Sequence, residues 1–208
     1  MMFWEHRDIL PQVMPQKVEI YAKALVFDGF FKIEEAELSY ERFDGEMTPK
    51  VKRLSFERGD SVAAIVFDRD SRRLLFLRQF RYPTYEKGPG WITEIVAGMQ
   101  ERDEAPELAL QREILEEIGY ETVLIEPIAR FYVSPGGSSE RISIFYVEVT
   151  GAGKVAAGGG LASENEDIES ISYSPEQLQD AVAAGEIQDA KSLIGALWFL
   201  NRKREMIQ

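Results

Sequence analysis

One stretch constrains this chain more than any other. From Gly98 to Tyr120 it runs glycine, five residues, Glu104, seven residues, then Arg112-Glu113-Ile114-Leu115-Glu116-Glu117-Ile118-Gly119-Tyr120. Apolar residues at Leu108, Ile114, Leu115 and Ile118 predict a helix over Glu104 to Ile118, closed by Gly119. On that helix Glu113, Glu116 and Glu117 lie three and four residues apart, so their carboxylates leave one face within about one turn. Each like-charged pair costs an isolated helix roughly 0.2 to 0.5 kcal/mol, and Arg112 offers a single positive charge in return. The cluster needs compensation from arginine or from bound cations. Carboxylate oxygens without Cys or His suit magnesium or manganese, which bridge protein carboxylates to substrate phosphates. A solvated acidic face is the commonest meaning of a Glu-rich helix. Against it, seven fixed positions match a given window by chance on the order of once in 10^8, or about tenfold more often in an acidic chain.

The bulk numbers narrow the partners. A chain of 208 residues suits one large domain, or one domain with a small appendage. Its net charge of -12 argues against a nucleic-acid scaffold, because phosphate backbones are gripped by Lys and Arg clusters. A small phosphate ester held through cations stays compatible. With no cysteine there are no disulfides, no thiolate catalysis and no Cys-based metal sites, which fits the cytoplasm. Met1 to Val13 carries Trp4, Glu5, His6, Arg7 and Asp8 where a secretory signal needs an apolar stretch, and no run approaches the roughly 18 apolar residues of a membrane span. His6, the one histidine, is expected to face solvent in a terminal tail.

Along the chain, Val18 to Phe56 alternates as a small antiparallel sheet, with Ala36, Leu38 and Tyr40 opposite Glu37, Ser39 and Glu41, and Asp44-Gly45 as a turn. Ser61 to Phe67 and Leu74 to Phe80 read as strands about the polar tip Asp68 to Arg72. Further strands are expected over Trp91 to Val96, Val123 to Val133 and Arg141 to Val149. Ser174-Pro175-Glu176 reads as the start of a helix to about Ala184, and Ala190 to Lys203 as a last helix. Gly151 to Gly160 is small and flexible, a loop.

The pattern from Gly98 to Tyr120 resembles the Nudix box at every defining position: Gly-x5-Glu-x7-Arg-Glu-hydrophobic-x-Glu-Glu-x-Gly-hydrophobic. The resemblance implies an α/β (α+β) fold, an α/β/α sandwich with a mixed sheet, and an enzyme that hydrolyses a nucleoside diphosphate linked to another group. It implies Glu113 and Glu117 as the main metal ligands, Glu116 as a further ligand or support, Arg112 as an orienting partner and the carbonyl of Ala97 as another ligand. Outside the box, Glu94 to Met99, Ser134 to Arg141 and Gly160 to Asp167 resemble the ADP-ribose pyrophosphatase branch, and the similarity runs from about Val18 to Trp198. That branch implies magnesium, replaceable by manganese, with AMP and ribose 5-phosphate as products.

By the same resemblance, Glu164 is the general base that activates water and Glu166 an additional metal ligand. Phe30 would stack on adenine, Arg53 and Arg81 would grip diphosphate and ribose, and Ser134 and Glu140 would line the substrate site. The residues alone leave each of these open. Ser134-Pro135-Gly136-Gly137 must turn tightly but can be a mere strand connector, and Glu164 to Asp167 can be a solvated acidic loop. Phe30 can pack beside Phe31, and the two arginines can be solvated strand residues. The resemblance also implies residues 1–57 as an N-terminal β domain for dimerisation and base binding, residues 58–208 as the hydrolase domain, and a domain-swapped homodimer. A pyrophosphatase for another nucleotide sugar, GDP-mannose for example, is the nearest rival, and a Nudix-fold sensor that binds ADP-ribose without cutting it the next.

Overall fold

A computed structural model describes residues 16–161, 163 and 165–207, the segment 203–207 by its backbone. His6, the rest of Met1 to Val13, and Glu164 lie outside the described residues. The described chain forms two compact units, one holding the residues up to Gly59 together with Ser134–Glu140, the other Asp60–Val133 with Arg141 onward.

The first unit is a three-stranded antiparallel sheet of β1 (Val18–Asp28), β2 (Lys32–Tyr40) and β3 (Val51–Glu57) in that order. Gly45, at φ +87°, makes the turn expected at Asp44-Gly45. Burial along β2 does not alternate as expected. Ala36 and Ser39 are buried while Tyr40 is exposed, because the Ser39 hydroxyl donates to the Thr48 carbonyl at 2.6 Å and is covered by that segment. The turn from Ser134 belongs to this unit: Phe56 donates its N–H to Gly137 at 2.8 Å, and Ser139 returns one to Phe56 at 3.2 Å.

The second unit is built on a seven-stranded mixed sheet. β4 (Ser61–Asp68), β5 (Arg73–Phe80), β8 (Leu124–Tyr132), β9 (Arg141–Val149) and β10 (Glu169–Tyr173) run in the order β10-β5-β4-β9-β8, while β6 (Trp91–Glu94) pairs with β5 and β7 (Val96–Met99) with β4. β4 and β9 lie parallel at the centre and are buried almost end to end, which explains their near-continuous apolar sequence. The period of two then sorts the core into two layers. Val62, Ala64, Val66, Phe145 and Val147 face the helix α2 (Pro106–Ile118). Ala63, Ile65, Ile144 and Tyr146 face the helices α3 (Pro175–Ala183) and α4 (Ala190–Ile207). Helices on both faces of a mixed sheet give the α/β/α sandwich. A short helix α1 (Tyr82–Tyr85) precedes β6.

Several expectations need correction. The run from Trp91 to Val96 is two strands, because β6 and β7 pair with different neighbours and the chain steps between them at Ile95. β10 escaped the sequence reading. Helix α2 begins at Pro106 rather than Glu104, since proline lacks the N–H an interior turn would need and sits best in the first turn. Of the four apolar residues expected to pack from α2, Ile114 and Ile118 are buried, but Leu108 and Leu115 are exposed. The buried stripe is Ala109, Leu110, Ile114, Glu117 and Ile118, which places a carboxylate against the core. Gly119, at φ +71°, ends the helix by donating to Leu115 O at 3.0 Å, as a left-handed cap should. Ser174 caps α3 through a reciprocal pairing with Gln177.

Candidate active site

Strand β7 and helix α2 are joined by a loop that puts one arginine at the centre of three carboxylates. Arg112 donates from Nη1 to Glu113 Oε1 at 2.7 Å and to Glu116 Oε2 at 3.5 Å, and from Nη2 to Glu104 Oε2 at 3.3 Å and to the Met99 carbonyl at 3.1 Å. Burial disfavours the guanidinium charge, but the hydrogen bonds to Glu104 and Glu113 outweigh it and hold Arg112 protonated. Glu104, expected on the helix, stays in the loop. There the Glu101 N–H, at 3.0 Å, and Arg112 together keep its carboxyl below the usual range.

Next to this arginine, burial and mutual repulsion act on Glu117 and Glu113. Glu117 is 3% exposed, and its Oε2 accepts the Ala97 N–H at 3.1 Å. Its pKa is pushed well above the carboxylate range, first by burial and then by the charges of Glu113 and Glu166, with Ala97 and Arg81 opposing. Glu113 is raised in the same way, by burial first, with Glu116 and Glu166 adding to it against Arg112. The charge of buried carboxylates that raise one another's pKa is relieved by a proton or by a cation, and an all-oxygen donor set suits a hard divalent ion. Among the described residues no three carboxylates stand as a closed ligand cage. Gly98 has a steric role here: a Cβ built on it would overlap the Glu113 carboxylate. The motif's first glycine is therefore the space that Glu113 occupies.

The segment after β9 is held more firmly than its glycines suggest. Gly159 and Gly160 donate their N–H groups to the carbonyls of Glu117 at 2.9 Å and Glu116 at 3.2 Å, Val155 donates to Gly119 O at 2.9 Å, and Lys154 Nζ reaches Ile118 O at 2.6 Å. The last carbonyls of α2, otherwise unpaired, are thus met by the chain leading to Glu166. That residue folds back so that its Oε2 accepts the Leu161 N–H at 2.9 Å, while its charge still reaches Glu113 and Glu117. Arg81 donates from Nε to Glu94 Oε2 at 2.8 Å, and its own charge is felt at Glu117.

The structure thus gathers Ala97, Arg112, Glu113, Glu116, Glu117, Glu166 and Arg81 in one unit. The other candidates lie in the first unit. Phe30 is 89% exposed, its ring edge-on to Phe31 at 4.8 Å, so it is not a core residue. Arg53 is exposed on β3 and bonds the carbonyl of Lys52 at 2.9 Å. The Ser134 carbonyl accepts from Gly137 and Ser138 at 3.0 and 2.9 Å and closes the turn. Glu140 is buried, 3.6 Å from Arg58 Nε. Glu94 was not among the expected site residues. Its signal was a lone carboxylate in the apolar run Trp91 to Val96, where a buried charge needs partners.

The NUDIX domain model matches residues 57–193. The chain is 37% identical over 183 residues to the ADP-ribose pyrophosphatase of Escherichia coli (strain K12), covering 87% of this chain and 87% of that protein. It is 33% identical over 183 residues to the GDP-mannose pyrophosphatase of Enterobacter sp. (strain 638), covering 87% of this chain and 94% of that protein. Its fold is similar to the crystal structure of an ADP compounds hydrolase, with TM-score 0.71 at 15% identity over 92% of this chain and 96% of that one.

Proposed function

The chain belongs to the Nudix family, and we propose that within it the protein is an ADP-ribose pyrophosphatase, cleaving ADP-ribose to AMP and ribose 5-phosphate with a divalent ion, magnesium or in its place manganese. The observation that carries this reading is the group of mutually repelling glutamates on α2, pinned by one arginine under Gly98.

Glu113, Glu117, Glu166 and the Ala97 carbonyl would hold the cation, with Glu116 beside them as a further ligand or support. A divalent ion bound there would supply positive charge to offset the negative charge that develops on the diphosphate. Arg112 orients Glu113, while Arg81 and Arg53 pair with the diphosphate and ribose. Phe30 offers its exposed ring to adenine, and Ser134 and Glu140 line the sugar. Glu164 accepts a proton from the attacking water. As the new P–O bond forms, the bridging P–O bond breaks and its oxygen departs with the other phosphate.

Purified protein with magnesium is expected to turn ADP-ribose into AMP and ribose 5-phosphate, to lose that activity in EDTA and to regain it with excess magnesium. Chromatographic product analysis checks this. A much higher kcat/KM on GDP-mannose, the substrate named for the relative from Enterobacter, would overturn the choice of sugar nucleotide.

The proposal includes an N-terminal β domain of residues 1–57 that is exchanged between two copies. Ile20, Leu25, Val26 and Phe27 on β1 are each more than half exposed, an apolar strand that a second chain can cover. Light scattering should give twice the 23.7 kDa of one chain; a monomer at micromolar concentration rules the exchange out. No described helix is long and apolar enough to cross a membrane, and the lack of cysteine suits the reducing cytoplasm, the compartment proposed.

A further inference from the structure

The first turn of α4 carries a chain of alternating charges that ends in the site. Lys191 Nζ lies 3.0 Å from Asp189 Oδ1 and 2.7 Å from Glu94 Oε1, and the other oxygen of Glu94 accepts from Arg81 Nε at 2.8 Å. The side chains of Lys191 and Glu94 are 12% and 7% exposed. Next to them, Ser192 Oγ donates to Asp189 Oδ2 at 2.5 Å and accepts the Ile95 N–H at 2.8 Å. The same helical turn therefore braces Glu94 and Ile95, two residues before the Ala97 that bonds Glu117.

Stability alone explains this poorly. Burying a lysine and a glutamate together costs desolvation that their attraction barely repays, and apolar residues of similar size commonly do as well. Orientation explains it better. Glu94 has two oxygens, and Lys191 occupies one. Arg81 is left the other, which it meets through Nε; among the described residues its two terminal nitrogens take no protein acceptor. Without Lys191, the Glu94 carboxylate is free to turn and take Arg81 in a two-pronged grip, drawing in a terminal nitrogen.

We infer that Lys191, acting through Glu94, is a positioning residue that keeps the terminal nitrogens of Arg81 open for the substrate's diphosphate. The inference rests on the reading of Arg81 as a diphosphate ligand. Lys191→Met is expected to raise KM for ADP-ribose about tenfold, in the range seen for groups that orient a site's direct ligands, and to leave kcat within about twofold. Arg81→Ala is expected to raise KM as well, and the double variant to lie within about twofold of Arg81→Ala alone, because the lysine then has nothing left to position.

An unchanged KM in Lys191→Met, or two increases that multiply in the double variant, overturns the inference while leaving Arg81's role intact. An unchanged KM in Arg81→Ala overturns both. Should Lys191→Met not fold, Glu94→Gln carries the same test, since it keeps the shape but removes the charge between the two cations. A rise in KM that persists in the Arg81→Ala background counts against the inference there too.

Discussion

Glu113→Gln is expected to lower kcat for ADP-ribose by about 10^3-fold while the melting temperature stays level or rises. The loss follows from the chemistry proposed for the site. An amide oxygen is a much weaker ligand for a hard divalent ion than a carboxylate, and several kcal/mol of charge stabilisation in the transition state depend on that ion, with about 4 kcal/mol corresponding to a thousandfold in rate. The stability expectation has a separate basis. The Glu113 side chain is 13% exposed and stands one turn from Glu116 and Glu117, so a neutral isostere relieves like-charge repulsion on the helix. Arg112 keeps Glu104, Glu116 and the Met99 carbonyl as partners. Sites that give up stability for chemistry show this pairing of outcomes. Steady-state kinetics, magnesium titration by calorimetry and thermal unfolding check it together. Wild-type turnover with unaltered magnesium affinity would remove Glu113 from the metal site.

What could be read from the chain in advance was mostly local. The spacing of Glu113, Glu116 and Glu117 determines their shared face whatever surrounds the helix, the hairpin β4–β5 follows from two apolar runs about the polar tip Asp68 to Arg72, and β8 and β9 follow as strands from their own local sequence. Burial on α2 did not follow, because it depends on which side of the helix meets β7 and β4. That contact covers Glu117 and exposes Leu108 and Leu115, the reverse of what polarity suggests. β10 was missed for a similar reason: Glu169–Tyr173 is a short edge strand that exists by pairing with β5, almost a hundred residues earlier. The same distance hides the support of the site. Glu94 and Lys191 are far apart in sequence, and nothing near either one predicts 2.7 Å between them. The glycines at Gly158, Gly159 and Gly160 looked like slack, but their positive φ values let the backbone come close enough to cap α2. Composition cannot distinguish a glycine that loosens a chain from one that lets it approach.

Gly98→Ala is the second substitution with a large expected effect, and it separates space from backbone freedom. Gly98 lies in β7 opposite Val62 and is absent from the positive-φ glycines, so its backbone suits any residue. The obstacle to a side chain is the Glu113 carboxylate, which an added Cβ would overlap. Either Glu113 leaves its place beside Arg112, or β7 moves away from α2 and carries the Ala97 carbonyl away from Glu117. The expected result is a fall in kcat/KM of about a hundredfold, as a shift near 1 Å in a positioned site can produce, with about 1 to 3 kcal/mol of lost stability from overpacking. The two effects part company when Glu113 is already glutamine. An amide has nearly the same volume, so the overlap and its stability loss persist, whereas the part of the activity loss that comes from moving the Glu113 carboxylate disappears, leaving a smaller fall in kcat/KM than in the Glu113 background. Unfolding midpoints and kcat/KM for the two single variants and the double variant distinguish these outcomes. If alanine at position 98 leaves turnover and magnesium affinity at wild-type values, Glu113 does not act from the position seen beside Arg112.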